Sequence, residues 1–203
     1  MSFVEQFTEL TRPERFVWLN EPSVSRFGAG LEIVTDARTD FWQRTHYGFQ
    51  RDDGHALLTR LRGDFALTTH VRYQPQTQYD QCGLMIRIDA NYWIKASTEF
   101  ENESHSRLGS VVTNRGYSDW ATQDVLSSHT EMWYRISRRG PDYLIEASFD
   151  GARWLQLRVA HLHKNANVVL GGVYACSPIG RAFRCVFSEV MVGKSTWSGG
   201  EGG

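Results

Sequence analysis

Hydrophobic and polar residues alternate through the middle of the chain with the two-residue period of a β-strand. One face of the segment from Tyr92 to Glu101 takes Tyr92, Ile94, Ala96, Thr98 and Phe100. The opposite face takes Trp93, Lys95, Ser97, Glu99 and Glu101. The pattern predicts a strand with an apolar face toward a core and a second face bearing an aromatic ring, a cation and two carboxylates.

Two further strands are predicted on either side of this segment, at Cys82–Asp89 and Leu108–Asn114. A tight turn at Ala90-Asn91 and a polar loop at 102–107 join the three into an antiparallel meander. In the first strand, the residues Cys82, Leu84, Ile86 and Ile88 share a face opposite Met85, Arg87 and Asp89. The polar face of this meander is either exposed to solvent or forms the floor of a binding groove.

The remaining segments also favour strands separated by turn residues. They are Phe16–Leu19, Leu31–Thr35, two strands within His55–Tyr73 broken at Gly63, Thr130–Arg138, a strand ending at Phe149, Trp154–Val159, Asn167–Pro178 and Phe183–Gly193. The segment 39–48 is interpreted as a loop or edge strand, and 115–125 as a brief strand or a single helical turn. No run has a helical period, so we expect an all-β jelly-roll sandwich of two antiparallel sheets. One domain is predicted over 1–195, followed by a flexible glycine-rich tail at 196–203.

The charge balance argues against nucleic acid and membrane surfaces as partners. The 203 residues include 22 basic and 23 acidic side chains, with no long run of either sign. No apolar stretch approaches the ~18 residues of a membrane span, and no signal peptide is recognisable, so we expect a soluble, cytoplasmic protein. Cys82, Cys176 and Cys185 are predicted to be reduced, buried thiols, with a Cys176–Cys185 bridge as the alternative.

Four segments together resemble a known family. They read DFWQRTHYG, YDQCGLMIRIDANYWIKASTEFENE, LGSVVTNRGYSDWAT and SFDGARWLQLR. The chain is similar, from Trp18 to Gly193, to the regulator-of-enolase-like family of unknown function in the concanavalin A-like lectin and glucanase superfamily. The resemblance implies that the jelly-roll sandwich is concanavalin A-like, with two sheets and a concave face. It implies no activity, because a shared fold does not determine function.

Glu99 and Glu101 are the candidate catalytic residues. They lie two residues apart on one strand face, which places their carboxyls about 6 to 7 Å apart. A pair of carboxyls at such a distance can act as acid and nucleophile or base in glycoside hydrolysis. The E-x-D-x-x-E run of similar glucanases is matched only in part. Alternatively, Glu99 forms a cross-strand ion pair with Lys95 or Arg87, and Glu101 is solvated.

Aromatic residues near this face indicate a carbohydrate site, because sugar rings pack on aromatic rings while their hydroxyls need fixed polar partners. The predicted ligand-binding residues are Trp93, Lys95, Arg87, Met85, Trp42, His46, Tyr47 and Asn114. The alternative for the tryptophans is packing in a core. His161 and His163 have no evident third ligand, so no metal or other cofactor is predicted.

Three functions are compatible with these patterns. The first is a binding module without catalytic activity that recognises carbohydrate on its concave sheet. The second is a glycoside hydrolase that uses Glu99 and Glu101. The third is a regulatory module that binds a protein partner, as the family resemblance suggests. The sequence leaves the ligand and the oligomeric state open.

Overall fold

The computed structural model describes residues 2–197, which form an all-β protein. Its strands are β1 (Phe3–Glu5), β2 (Phe16–Leu19), β3 (Val24–Phe27), β4 (Leu31–Val34), β5 (Phe41–Gln43), β6 (Gln50–Asp52), β7 (His55–Arg62), β8 (Phe65–Gln74), β9 (Gln81–Asp89), β10 (Tyr92–Phe100), β11 (His105–Asn114), β12 (Tyr117–Leu126), β13 (Glu131–Arg139), β14 (Asp142–Ser148), β15 (Leu155–His161), β16 (Val168–Cys176) and β17 (Arg184–Gly193). From residue 198 onward, the predicted tail falls outside the described residues. Between residues 2 and 197 there is no helix long and apolar enough to cross a membrane.

Two large antiparallel sheets contain nearly all of these strands, as predicted. The first has eight strands in the order β15-β14-β13-β8-β17-β4-β3, with β1 paired to β17. The second has seven strands in the order β12-β11-β10-β9-β16-β7-β2, and β5 and β6 form a separate small hairpin. The predicted meander is confirmed as β9, β10 and β11, at the centre and toward one edge of the second sheet.

The segment from 117 to 126 differs most from its prediction. It is a ten-residue strand, paired with β11 along its whole length, rather than a brief strand or a helical turn. Most of its side chains are exposed, and β12 is the edge strand of its sheet. Because β12 has no buried apolar face, its sequence does not alternate between apolar and polar residues. The strand forms through its backbone hydrogen bonds to β11.

The apolar faces of the two sheets meet in the main core. Leu84, Ile86 and Ile94 of the second sheet and Ile136 of the first are fully buried there. The alternation predicted for β10 is confirmed, because Ile94, Ala96 and Thr98 face this core while Lys95, Ser97 and Glu99 face away. The Thr98 hydroxyl lies 2.7 Å from the Tyr134 hydroxyl and thereby joins the two layers through a buried polar contact.

All three cysteines are free and buried, which confirms the prediction of reduced thiols. Burial raises the pKa of both Cys82 and Cys176 well above the usual range of a thiol. Both side chains are therefore protonated at neutral pH. A protonated, inaccessible thiol is a weak nucleophile, so these two residues serve packing rather than chemistry.

A second, smaller core lies on the opposite face of the seven-stranded sheet. Here the β5–β6 hairpin covers part of the sheet, and Phe41 packs against Trp93 and Tyr174 with ring centroids 6.3 and 6.1 Å away. At the end of the hairpin, Asp52 accepts two hydrogen bonds of 2.7 Å from the Arg87 guanidinium. The hairpin therefore divides the outer face of the sheet into a covered part and an open part.

Two glycines of the seven-stranded sheet lie where the paired strand leaves no room for a side chain, and one of them, Gly109, lines the open part. A Cβ atom at Gly83 would lie 2.0 Å from the Ala96 carbonyl oxygen, and one at Gly109 would lie 2.1 Å from the Ala121 oxygen. Both obstacles are backbone atoms of the paired strand, which cannot move away without disturbing the sheet. Only glycine fits at these two positions.

We therefore expect Gly83→Ala to lower the free energy of unfolding by about 2 kcal/mol or more. The matched control is Gly193→Ala, also in a strand, where a Cβ atom meets nothing within 4 Å. The control should be neutral or slightly stabilising, because alanine restricts the unfolded chain. Urea denaturation of both variants measures the difference, and equal stabilities would contradict the steric explanation.

Candidate functional site

A pocket of about 400 Å³ opens on the outer face of the seven-stranded sheet, beside the hairpin. Its lining residues are Asp40, Trp42, Tyr47, Phe49, Arg51, Tyr79, Gln81, Lys95, Ser97, Glu99, Arg107, Gly109, Ser110, Val111, Trp120, Pro178 and Ile179. The set combines aromatic rings with polar side chains, among them both basic and acidic residues. Such a mixture is typical of sites for small organic ligands.

Strand register builds the floor of this pocket. Glu99 of β10 pairs with Gln81 of β9 on one side and with Arg107 of β11 on the other. One row further along the sheet, Ser97 lies between Gly83 and Gly109. The first row supplies polar side chains, whereas Gly109 in the second row has no side chain to fill the space above the backbone. The depth of the pocket follows from this contrast.

Aromatic side chains form the rim. Tyr47 and Phe49 extend from the hairpin and stack on each other, with ring centroids 5.6 Å apart and planes inclined by 20°. Tyr47 also meets Trp42 edge to face at 5.5 Å, and the Trp42 indole N–H donates to the Thr45 carbonyl at 3.0 Å. Trp120 of β12 is 39% exposed. The rim therefore presents ring surfaces that are held in place and partly accessible.

The Glu99 carboxyl is held by its neighbours in the floor. The Gln81 amide N–H donates to Glu99 Oε2, and the Gln81 oxygen accepts a hydrogen bond of 3.1 Å from the Tyr174 hydroxyl. Burial raises the pKa of Glu99 to about 8, and the charges of Asp40 and Glu101 act in the same direction, against Lys95. At neutral pH this carboxyl is mostly protonated, so it can donate a hydrogen bond into the pocket.

Lys95 is a buried cation in the wall between pocket and hairpin. Its ammonium donates to the Phe41 carbonyl at 2.9 Å and lies 3.5 Å from Asp40 Oδ1. The Trp93 and Tyr174 rings are 5.9 and 5.8 Å from the same nitrogen. An ammonium has three N–H donors, and these contacts leave one for a ligand.

The structure brings together four of the predicted site residues, Trp42, Tyr47, Lys95 and Glu99, as lining of one pocket. Three others lie beneath the hairpin. Trp93 and Met85 have no exposed surface and belong to the second core. Arg87 forms an ion pair with Asp52. The expectation that Trp93 offers a platform to a sugar is therefore wrong for this structure, because Phe41 already covers its ring.

The other predicted residues lie around the pocket rather than in it. Glu101 accepts a hydrogen bond of 2.6 Å from Gln78 and is 3.5 Å from Arg107, at the end of β10. The proposed ion pair between Glu99 and Lys95 or Arg87 is replaced by the contacts of those cations with Asp40 and Asp52.

His46 and Asn114 line a neighbouring pocket. The Asn114 amide donates to the His161 carbonyl at 2.8 Å and accepts from the His163 N–H at 2.9 Å. Asn114 therefore joins two chain segments, and both ends of its amide are engaged within the protein. Asn114 thus lies at the neighbouring pocket rather than beside Glu99, and its role as a ligand contact stays a prediction.

Several pocket residues were not predicted from the sequence. Extending the alternation of β9 back from Met85 through Gly83 leads to Gln81, so the sequence contained a signal for Gln81. Arg107 follows from the register of β11 opposite Glu99. Asp40 and Ile179 lie outside the regular strands, and no local pattern places them beside β10.

A metal site finds no support in the described part of the chain. Across residues 2–197, no three side chains of His, Cys, Asp or Glu are grouped so that they could hold an ion. His161 instead contacts Asp142 at 2.6 Å, and its ring lies 5.2 Å from that of His163.

Sequence comparison places the chain in a family. The family model DUF1349, described as a protein of unknown function, matches residues 18–195. The chain belongs to the DUF1349 family. This DUF1349 protein is 35% identical over 173 residues to Regulation of enolase protein 1 of Saccharomyces cerevisiae, an alignment that covers 85% of this chain and 86% of that protein. The resemblance seen in the four sequence segments is confirmed.

Solved structures extend the comparison. A functionally unknown protein from Saccharomyces cerevisiae matches the DUF1349 chain with a TM-score of 0.84 and 32% identity, over 90% of this chain and 98% of that one. A GH43 protein from Bacillus licheniformis matches with a TM-score of 0.73 but only 12% identity, over 94% of this chain and 39% of that one. The second likeness shows a shared fold alone.

Proposed function

We propose that this DUF1349 protein is a binding module that holds a carbohydrate in the 400 Å³ pocket, without turning it over. The observation that carries the proposal is the combination of a partly exposed aromatic rim with a floor of fixed hydrogen-bonding groups. The assignment of the sandwich to the concanavalin A-like class is part of the same proposal. The two stacked antiparallel sheets, with a pocket on the outer face of one of them, support it.

The two parts of the pocket match the two kinds of surface on a sugar. The C–H groups of a pyranose ring pack against aromatic faces, which Tyr47 and Trp120 offer at the rim. Its hydroxyls require both donors and acceptors at fixed positions. Lys95 and protonated Glu99 donate, and the Ser97 hydroxyl can do either. The Gln81 bonds restrain Glu99 before a ligand arrives, which lowers the entropic cost of binding.

A specific observation favours glycoside hydrolysis as the second candidate. The protonated Glu99 shares the pocket with Asp40, whereas Glu101 does not line it, so the acid and base pair becomes Glu99 and Asp40. In this scheme Glu99 gives its proton to the glycosidic oxygen as the C–O bond breaks. Asp40 takes a proton from the attacking water. A protonated carboxyl group with a second carboxyl group in the same pocket is the pair that such chemistry needs.

The relative named for regulation of enolase motivates a third candidate, a protein partner bound at the same face. This candidate differs from the first in the experiment that would support it. Capture of a protein partner that persists in the presence of excess glycan would favour protein binding, whereas release of the partner would place both ligands at the pocket.

A glycan array with the purified protein tests the first candidate, followed by calorimetry on each hit. We expect Trp120→Ala to weaken binding at least tenfold, because it removes one ring of the rim. Leu126→Ala is the matched control, since Leu126 is exposed on the same strand but lines no described pocket. Neither change affects a buried side chain, so both variants should fold.

The outcomes of this experiment separate the candidates. Binding that Trp120→Ala weakens and Leu126→Ala preserves, without release of reducing sugar, supports the binding module. Release of reducing sugar that Glu99→Gln abolishes would replace it with the hydrolase. The absence of any hit on the array, or equal effects of Trp120→Ala and Leu126→Ala, would refute a carbohydrate site at this pocket.

A further inference from the structure

A second pocket, of about 760 Å³, adjoins the first at the free edge of β12. Its walls come from the hairpin loop, from the β11–β12 turn and from β15 of the other sheet. His46, Tyr117 and His163 line this pocket but not the first. The proposed binding of carbohydrate in the first pocket leaves this larger space unexplained.

Three aromatic residues line both pockets, namely Trp42, Tyr47 and Trp120. The two spaces are therefore neighbours across a boundary of aromatic rings rather than separate depressions. Lys95 pairs with Val111, and Val111 pairs with Trp120, so Lys95 and Trp120 lie two strand spacings apart. That separation is about 10 Å, which exceeds the width of one pyranose ring.

The first pocket is closed toward the covered part of the sheet. The Phe41 ring packs on Trp93 and Tyr174, and these three side chains have no exposed surface. A ligand cannot extend in that direction without displacing the hairpin. Past Trp120, by contrast, the sheet ends at β12, and the second pocket begins. A chain-like ligand therefore has an open route across the aromatic boundary.

We propose that the ligand is an oligosaccharide whose terminal unit occupies the first pocket and whose following units cross Tyr47 and Trp120 into the second. This inference rests on the proposed carbohydrate binding and adds its direction and its minimum length. The ligand must have at least two units to gain the contacts of both pockets.

The polar groups of the second pocket suit uncharged hydroxyls. Arg158 is engaged by Asp119 at 3.0 Å, and His161 is engaged by Asp142 at 2.6 Å. The charge of Arg158 is therefore balanced within the protein, and the Nδ1 atom of His161 already has a hydrogen-bond partner. His46 and His163 offer ring nitrogens to a sugar hydroxyl, and Tyr117, which is 60% exposed, offers a ring face and a hydroxyl. The occupant is a neutral chain rather than an acidic one.

Calorimetric titration with chain-length series tests the inference. The probes are xylose and glucose with their β-1,4-linked oligomers of two to four units, and β-1,3-linked glucose oligomers of the same lengths. The wild-type protein should bind the dimer or trimer of one series at least tenfold more tightly than its monomer. Val159→Arg should remove this gain but leave monomer affinity unchanged, because Val159 is 51% exposed and lines only the second pocket.

Leu155→Arg is the matched control, as it places the same side chain at an exposed position of β15 outside both pockets. It should retain the gain with chain length. If affinity does not depend on length while Trp120→Ala still weakens monomer binding, the second pocket is refuted and the carbohydrate proposal stands. The same holds if longer chains gain affinity that Val159→Arg leaves intact. If no sugar of any length binds, both proposals are refuted.

Discussion

Trp93→Ala is expected to lower the free energy of unfolding by about 3 to 5 kcal/mol, the range for large aromatic residues removed from a core. Trp93 has no exposed surface, packs on Phe41 with centroids 6.3 Å apart, and donates its indole N–H to the Ala90 carbonyl at 3.2 Å. The cavity left behind would lie between the sheet and the hairpin. Since the hairpin forms one wall of the pocket, ligand binding should weaken as well.

The matched control for this variant is Trp120→Ala. The same chemical change at a residue that is 39% exposed should cost about 1 kcal/mol or less in stability. Guanidinium denaturation of both variants measures the two effects. The two tryptophans thus separate stability from recognition, since Trp93→Ala should affect mainly unfolding and Trp120→Ala mainly binding. Equal destabilisation by both changes would show that the hairpin is not anchored by the second core.

Glu99→Gln is expected to remove a decline in stability that the wild-type protein shows between about pH 5 and pH 8. Burial raises the pKa of Glu99 to about 8, above the ordinary 4.5 that it regains on unfolding. Between these values the folded protein binds the proton and the unfolded chain does not. Stability therefore falls as pH rises through this window, and the full penalty is present above the folded pKa.

The size of this effect follows from the shift itself. One unit of pKa corresponds to about 1.4 kcal/mol, so the total penalty is on the order of a few kcal/mol. Glutamine has the shape of the protonated acid and does not ionise. The variant should therefore equal the wild-type protein at about pH 5 and exceed it at pH 9, as urea unfolding across that range would show.

Glu101→Gln is the matched control, because it removes the same charge at a neighbouring position outside the pocket. Glu101 is two residues away, directly after the end of β10, where it contacts Gln78 and Arg107. Its removal should cost about 1 kcal/mol or less. The decline of stability with pH should persist, with its upper end moved to lower pH because the charge of Glu101 no longer helps to raise the pKa of Glu99. A Glu99→Gln protein that keeps the wild-type slope would show that a different group titrates in this window.

The affinity for the ligand should also depend on the protonation of Glu99. If the neutral carboxyl of Glu99 donates a hydrogen bond to the sugar, only the protonated fraction of the protein is competent to bind. At pH 9 the apparent affinity of the wild-type protein should then be about tenfold weaker than at pH 7. The affinity of Glu99→Gln should not change between these two pH values, and calorimetry at both would measure the difference.

The sequence determined the strands wherever one face of a strand is buried. Side chains alternate across a strand, so the parity of Ile94, Ala96 and Thr98 against Lys95, Ser97 and Glu99 is fixed locally. The meander of β9, β10 and β11 and the antiparallel two-sheet architecture followed from that alternation and from the turns. At β12 most side chains are exposed, so apolar and polar residues do not alternate there. The sequence therefore predicted only a brief strand or a single helical turn.

The tertiary structure alone decided which polar-face residues are accessible. Trp93, Lys95 and Glu99 share one face of β10, yet the first is covered by Phe41, the second is held by Asp40, and the third faces the pocket. The hairpin that causes this difference lies about fifty residues earlier in the chain, and its position depends on packing between distant side chains. Alternation specifies the face of a strand that a residue occupies, and only long-range packing specifies what covers that face.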